Sequence, residues 1–563
     1  MVTIVVTPSI LDPINLPKLF ILALGASLSC ALFSLQIVSL WGDSKKAVLV
    51  VPITFLAALL ASSIASQQGI FRTLVGVWGR NNGSLTYLSL VFIFLSLASM
   101  KSADSSRYLI KALTVLGLIG ALYGWLQNAD ADVIDWDNPG NKIILTLGNS
   151  DFASSFLALT AIATLTFLLL GVTNVWKRSL LVFSFTVQLY LTEKSDALHG
   201  FIILLLGSAI LVGLWLTFSS RSFLRRFAVV WWATIFTTGV IGVSGLVGIG
   251  PFASYLSQNL KSLQDRYYFW IAGLNMIKDN PLFGIGIDSF GDYYRKYRTV
   301  EGIDLRGTAL TGTNNAHNSI VQIGATGGLV LLGAYVFLIA FTVYRAYIAL
   351  KTHKDKILVS GVFSIWISFQ VQTLVSIDQI GLVVWGWAAA GCLVALSYYP
   401  ETQIMKRANT LNAQGQNSGI VVDNKIVIFV ILSFIPSIFL LPTLQNEFAL
   451  RNKIVQLTTT NLSAESNFIK NEIYMISMRA NQPELRLLAI SYLLENQAND
   501  LALKLALDTT IEFPNSYSSW DALSSIYEVI GQKDKAKVAR KVMIQLDPLN
   551  EEIKIKPEAE KSE

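Results

Sequence analysis

The chain has 563 residues, 53% of them hydrophobic and 14% charged, with a mean hydropathy of +0.53. Its apolar residues fall in runs long enough to cross a bilayer, which excludes a string of ordinary soluble domains. The formal net charge of +6 does not imply nucleic acid, because most Lys and Arg sit in short loops beside apolar runs and so report topology. Cys30 and Cys392, both within apolar runs, exclude a disulfide framework or thiolate metal cluster, and no structural zinc site is expected.

In chain order, stretches of about 17 to 25 mostly apolar residues predict an all-α polytopic membrane protein of about twelve spans. Leu19 to Leu40, Ala47 to Ala65, Ser84 to Met100 and Tyr108 to Leu126 come first. Phe152 to Leu170, the short Ser179 to Leu191, Leu198 to Leu216 and Ala228 to Ile249 follow. The last four are Ile320 to Val343, Leu358 to Val375, Gly381 to Leu396 and Ile426 to Leu441. The first run lacks a small-residue cleavage site and reads as a span.

Short alternate loops separate by charge. One set, from Lys45 and Lys46 to Lys406, Arg407 and Lys425, carries sixteen Lys and Arg; the other carries Lys18, Arg72, Arg80, Lys142 and Lys194. Positive charge stays on the cytoplasmic side, so the N-terminus, the loop from Pro251 to Ser319 and everything after the last span are expected outside, in a bacterial plasma membrane. The expected organisation is therefore spans within 1–250, an outer loop at 251–319, spans within 320–442 with a polar cytoplasmic connector at 403–423, and an outer helical domain at 443–563.

In that last region Pro514 and Pro548 lie 34 residues apart, with Trp520, Leu523, Tyr527, Gly531 and Ala536 between them and Ala502 one period earlier. This spacing resembles tetratricopeptide repeats and suggests a partner-binding domain; an ordinary helical hairpin is the alternative.

Polar chemistry concentrates in the outer loop. From Leu263 to Ile277, Tyr267, Trp270, Ile271, Leu274 and Ile277 recur at helical spacing, predicting a helix along the membrane surface that Asn280 and Pro281 end. Gly284 and Gly286 permit a tight turn, and Tyr293, Tyr294, Arg295, Lys296, Tyr297 and Arg298 suit a phosphate- and sugar-bearing ligand.

Arg266 through Trp270, PLFGIGIDSF at Pro281 to Phe290 and AHNSIVQIGATGGL at Ala316 to Leu329 together resemble the signature of the O-antigen ligase and polymerase superfamily. GRNNG at Gly79 to Gly83 and TLGNSDF at Thr146 to Phe152 are also similar, and the resemblance runs roughly from Phe71 to Gly391. It implies transfer of a glycan from an undecaprenyl-pyrophosphate carrier to an acceptor hydroxyl on a glycan, lipid or protein, at the outer face of the bilayer, with no required metal or other cofactor.

Such a transfer needs fixed positive charge at the leaving diphosphate, and a guanidinium suits it; Arg266 is the first candidate. His317, the one histidine in the outer loop, is the candidate base, as the resemblance also implies. Asn315 and Asn318, with Asn314, either hold sugar hydroxyls or cap a helix. Gly324, Gly327 and Gly328 are expected to serve close helix packing. Many family members carry Ser-Arg-Gly where this chain reads Leu198-His199-Gly200, so His199 stands in the arginine's place and Arg80, Lys194 or Arg306 is expected to supply the missing cation. Asp378 could orient the base or acceptor, or be a solvated turn residue. His353 reads as a solvated cytoplasmic residue. The competing functions are a transporter or flippase of lipid-linked glycans, a protein O-oligosaccharyltransferase, and a non-catalytic scaffold.

Overall fold

The computed structural model describes residues 1–41, 45–66, 68–136, 138, 142–246, 249, 261–399, 424–459 and 463–551; they form helices, turns and loops, with no strand among them. The connector at 403–423 and the start of the outer loop at 251–260 lie outside the described residues. A helix stands at each of the twelve apolar stretches. Eight are long and apolar enough to cross a membrane by length and composition; Ser84–Ala98 is apolar but shorter. Val175–Lys194, Ser222–Leu246 and Lys356–Thr373 are not among the eight.

The alternate loops gather at opposite ends of the bundle, as the charge pattern predicts. At one end Lys45 Nζ donates to Tyr399 Oη at 2.7 Å, Arg107 pairs with Asp355 at 3.1 Å and Arg345 Nε donates to Ser397 Oγ at 2.8 Å. At the other, the N-terminal segment meets three loops: Asn15 Nδ2 donates to the Gly79 carbonyl at 2.7 Å, Thr146 Oγ1 to the Thr3 carbonyl at 2.9 Å, and Gln379 Nε2 to Asn15 Oδ1 at 3.2 Å. His353 lies at the basic end but is buried, its Nδ1 accepting from the Asp355 N–H at 3.0 Å, so it holds a turn where the sequence suggested a solvated residue.

The helix Ser319–Thr352 is broken at Gly328, whose φ is +74°. The PLFGIG segment enters the break. Ile285 and Gly286 N–H donate to the Ala325 and Thr326 carbonyls, both at 3.0 Å, and Leu329 N–H donates to the Pro281 carbonyl at 2.7 Å. Ser62 Oγ donates to the Gly327 carbonyl at 2.6 Å. Every backbone group freed by the break that these bonds reach is thereby satisfied, which irregular backbone beside a membrane requires. A Cβ at Gly328 would collide with the Leu282 carbonyl, and one at Gly284 would lie 2.5 Å from the Thr326 carbonyl carbon. These glycines thus serve close backbone approach, and the helix Lys261–Asp279 packs Phe269, Ala272 and Met276 inward beside them. Its Tyr267 and Leu274 stay exposed, at 55% and 56%.

The last apolar stretch forms Asn424–Ser433 and Ile435–Thr459; the second runs on through Pro442, with no break at the compositional boundary. Its far end, Leu450, Ile454 and Leu457, joins the core of the terminal helices Ser463–Met478, Pro483–Glu495, Asn499–Glu512, Tyr517–Val529 and Lys533–Leu546. Ala502, Leu523, Tyr527 and Ala536 are buried there, and Trp520 Nε1 donates to the Pro514 carbonyl at 2.9 Å.

This terminal domain is clamped to the loop end of the bundle. Arg298 pairs with Asp547 at 2.6 Å and Arg295 with the same carboxylate at 3.1 Å. Arg72 reaches Asp292 at 3.0 Å and Glu484 at 3.1 Å. Tyr293 Oη accepts from Asn515 Nδ2 at 3.2 Å, and the Arg295 guanidinium lies over the Tyr517 ring at 4.3 Å. Arg295 and Arg298 of the Tyr- and Arg-rich stretch, expected from sequence to meet a ligand, are therefore used within the protein: the buried Asp547 carboxylate of the terminal domain takes the place of the anion.

Candidate active site

Four chain segments meet at the loop end. Asn149 caps the helix Ser150–Leu169 by accepting from the Asp151 N–H at 2.7 Å, which places Asp151 in its first turn. The helix Leu198–Thr217 begins alongside; Gly200 abuts Ser154, and the absence of a side chain there lets the two helix starts approach. His199 Nε2 consequently lies 3.0 Å from the Asp151 backbone oxygen and Nδ1 3.4 Å from its carboxylate. Arg266, on Lys261–Asp279, brings Nη2 to 3.6 Å from the other carboxylate oxygen.

His317 is presented by a tightly tied loop. Its N–H donates to Asn315 Oδ1 at 2.8 Å, the Ala316 N–H donates to Gln322 Oε1 at 2.9 Å, and its own φ is +52°, a left-handed conformation that a non-glycine residue adopts at some cost. Asn318 caps the broken helix through the Ile320 and Val321 N–H groups, at 2.9 and 3.1 Å, and donates to the Leu374 carbonyl at 3.0 Å. Asn315 and Asn318 thus spend their amides on backbone and fix where the imidazole stands. The ring packs on Phe269 at 5.6 Å between centroids, and Arg306 lies over Phe269 at 4.7 Å. Among the described residues neither ring nitrogen of His317 has a hydrogen-bond partner.

Charge at this point is unbalanced. Burial pushes the His317 imidazole down to about 3, helped by the guanidiniums of Arg266, Arg80 and Arg306 and then by His199. The charges of Arg266, Arg80 and Arg306 thus all reach His317, and His317 and Arg306 both pack on the Phe269 ring. Arg80 Nη2 donates to Asn314 Oδ1 at 2.9 Å, and Arg306 reaches Asp265 at 3.5 Å. Lys194 is turned away, 3.5 Å from Glu193.

Two carboxylates hold the loops beside these groups. Asp288 Oδ2 accepts from the Val77 and Asn82 N–H groups at 2.8 and 3.2 Å, wrapping the loop that carries Arg80, and burial pushes its pKa up to about 6. Asp378 is partly buried and hydrogen-bonded, not a solvated turn residue: Ser319 Oγ donates to it at 2.9 Å, and burial raises its pKa. Both border a cavity of ≈ 20 Å³ with Asn82, Asn315 and Gln322, room for one water.

Sequence reasoning named neither Asp151, Asp288 nor Phe269. The first two fall inside the TLGNSDF and PLFGIGIDSF runs, so the motifs contained the signal; Phe269 lies one residue before Trp270 and was hidden because its neighbours, not it, follow the apolar stripe.

Residues 143–336 match the family model described as O-antigen ligase. The matched stretch holds Asp151, His199, Arg266, Arg306 and His317 and the entire break at Gly328, while Arg80 and Asp378 lie outside it. The match supports membership of the O-antigen ligase superfamily and a glycosyl-transferring, multi-pass membrane protein. No curated protein matches the chain.

Proposed function

We propose that the protein transfers a glycan from an undecaprenyl-pyrophosphate carrier to an acceptor hydroxyl, at the outer side of a bacterial plasma membrane. The observation that carries this reading is the cluster of guanidiniums, Arg266, Arg80 and Arg306, whose charges reach an imidazole with no hydrogen-bond partner on its ring nitrogens among the described residues. Three guanidiniums with two acidic neighbours in ion-pair range attract a diphosphate, and guanidinium geometry favours phosphate oxygens.

In the reaction the acceptor oxygen forms a bond to the anomeric carbon as the bond from that carbon to phosphate oxygen breaks. The bonding pair leaves on the diphosphate, where the guanidiniums stabilise it, and the acceptor proton passes to His317. Direct attack inverts the anomeric centre. Bound diphosphate also offsets the three cations, which returns the imidazole toward its ordinary basicity when an acceptor is present. Asn315 and Asn318 hold the base, and Asp288 and Asp378 support the loops carrying Arg80 and His317. No other cofactor enters this scheme, and the terminal helices, whose tetratricopeptide character belongs to this proposal, form a wall beside the site that recruits acceptor or partner protein.

The broken helix is a feature transporters also use, but its freed backbone groups bond to the PLFGIG segment and do not line a path. Purified protein in nanodiscs, given carrier-linked glycan and acceptors, separates the readings. Product with wild type and none with His317→Ala supports transfer; carrier crossing vesicles without product supports transport.

A further inference from the structure

Asp151 is the point through which two of the site's cationic groups are joined. Its carboxylate lies 3.6 Å from Arg266 Nη2 and 3.4 Å from His199 Nδ1, and its backbone oxygen lies 3.0 Å from His199 Nε2. Both nitrogens of His199 face acceptors. A neutral imidazole carries one N–H and turns a lone pair toward the second oxygen, whereas imidazolium donates to both. Among the described residues Asp151 is the one carboxylate in ion-pair range of either group. Its carboxylate is 34% exposed, and both side-chain separations exceed those of a closed charge-assisted hydrogen bond, so an incoming anion can reach the cations without displacing a sealed pair.

We infer that Asp151 is a positioning residue that binds Arg266 and a protonated His199 into one clamp for the carrier diphosphate, so that donor binding takes up a proton at His199. The inference rests on the proposed transfer reaction and names how its donor is held. The charged groups whose fields reach His199 are Asp151 and Arg266, with His317 across the site. Glu193 and Lys194, ending the preceding helix, pair with each other. Lys356, on a helix packed along the same span, sits at its opposite end over Phe218. With the anion bound, a third charge favours imidazolium; the proton is held in the complex and not in the free protein, so affinity is full at low pH and falls as pH rises, by up to about tenfold per unit.

The test is calorimetric titration of the full chain in nanodiscs with undecaprenyl pyrophosphate, from pH 6 to 8.5, in buffers of different ionisation heat. Wild type is expected to take up a proton and to lose affinity with rising pH. His199→Arg, whose charge is fixed, is expected above pH 7.5, where His317 stays neutral, to bind with a flat profile and no uptake; Asp151→Asn is expected to move the fall in affinity to lower pH. His317→Gln is expected to keep the uptake. Uptake that persists undiminished when His199→Arg is combined with His317→Gln, or a wild-type profile in Asp151→Asn, overturns the clamp. Wild-type binding that is independent of pH overturns the clamp and leaves the transfer reading standing, whereas no wild-type binding at any pH removes both.

Discussion

Asp547 offers a sharp test of how the terminal helices are held. It is fully buried, and its carboxylate receives both Arg298, 2% exposed, and Arg295. Asp547→Ala would leave two guanidiniums without a carboxylate, with the Ala309 and Thr311 oxygens for Arg298 and the Ala309 and Leu310 oxygens and the Tyr517 ring for Arg295. Removing one partner of a buried ion pair costs about 3 to 5 kcal/mol, and here the surviving carbonyl bonds favour the lower half of that range. A loss of about 3 kcal/mol lowers the docked-to-undocked ratio by about 150-fold. Limited proteolysis of the detergent-purified protein should then release the helices after Ser463 far faster than in wild type. The pair Arg298→Met with Asp547→Leu should recover much of the protection, because an apolar pair leaves no buried charge unpaired. Equal proteolysis of wild type and Asp547→Ala would refute the reasoning.

His317→Ala should lower transfer by about 10²- to 10⁴-fold with donor binding retained, read by product formation alongside carrier binding. Because the folded imidazole sits near 3, below its unfolded value, the unfolded chain binds more protons between these limits; stability from this group is present above about pH 6.5 and is lost as pH falls toward 3. Melting of His317→Gln between pH 7 and 5 should therefore drop less than melting of wild type, and identical drops would contradict the shift. Gly328→Ala should unfold or fail to accumulate, since φ +74° with ψ 179° is a region essentially confined to glycine and costs an L residue about 1 to 3 kcal/mol before the collision with Leu282 is counted, and a normal melting profile would contradict the break.

The helices at the apolar stretches, eight of them long and apolar enough to span, and the grouping of their loops were legible in the sequence because both follow from one-dimensional quantities, apolar length and Lys/Arg position. Lys45 beside Tyr399 and Asn15 beside Gly79 are where that alternation puts them. His317 and Arg266 were legible as candidates because each sat in a recognisable run. What the sequence did not disclose were partnerships made across long separations. Arg295 and Arg298 look like ligand cations until Asp547, about 250 positions away, is seen to neutralise them. Asp378 looks like a turn residue until Ser319 and Tyr87 donate to it. Gly328 was read as a packing glycine, and its φ of +74° follows from a second segment entering the helix, which no local pattern encodes.

The most direct measurement is a structure of the protein in nanodiscs with undecaprenyl pyrophosphate bound. The account predicts diphosphate density enclosed by Arg266, Arg80 and Arg306, with His317 facing the open side where an acceptor enters. Density at the basic end of the bundle, near Lys45 and Arg345, or a diphosphate out of reach of His317, would contradict it.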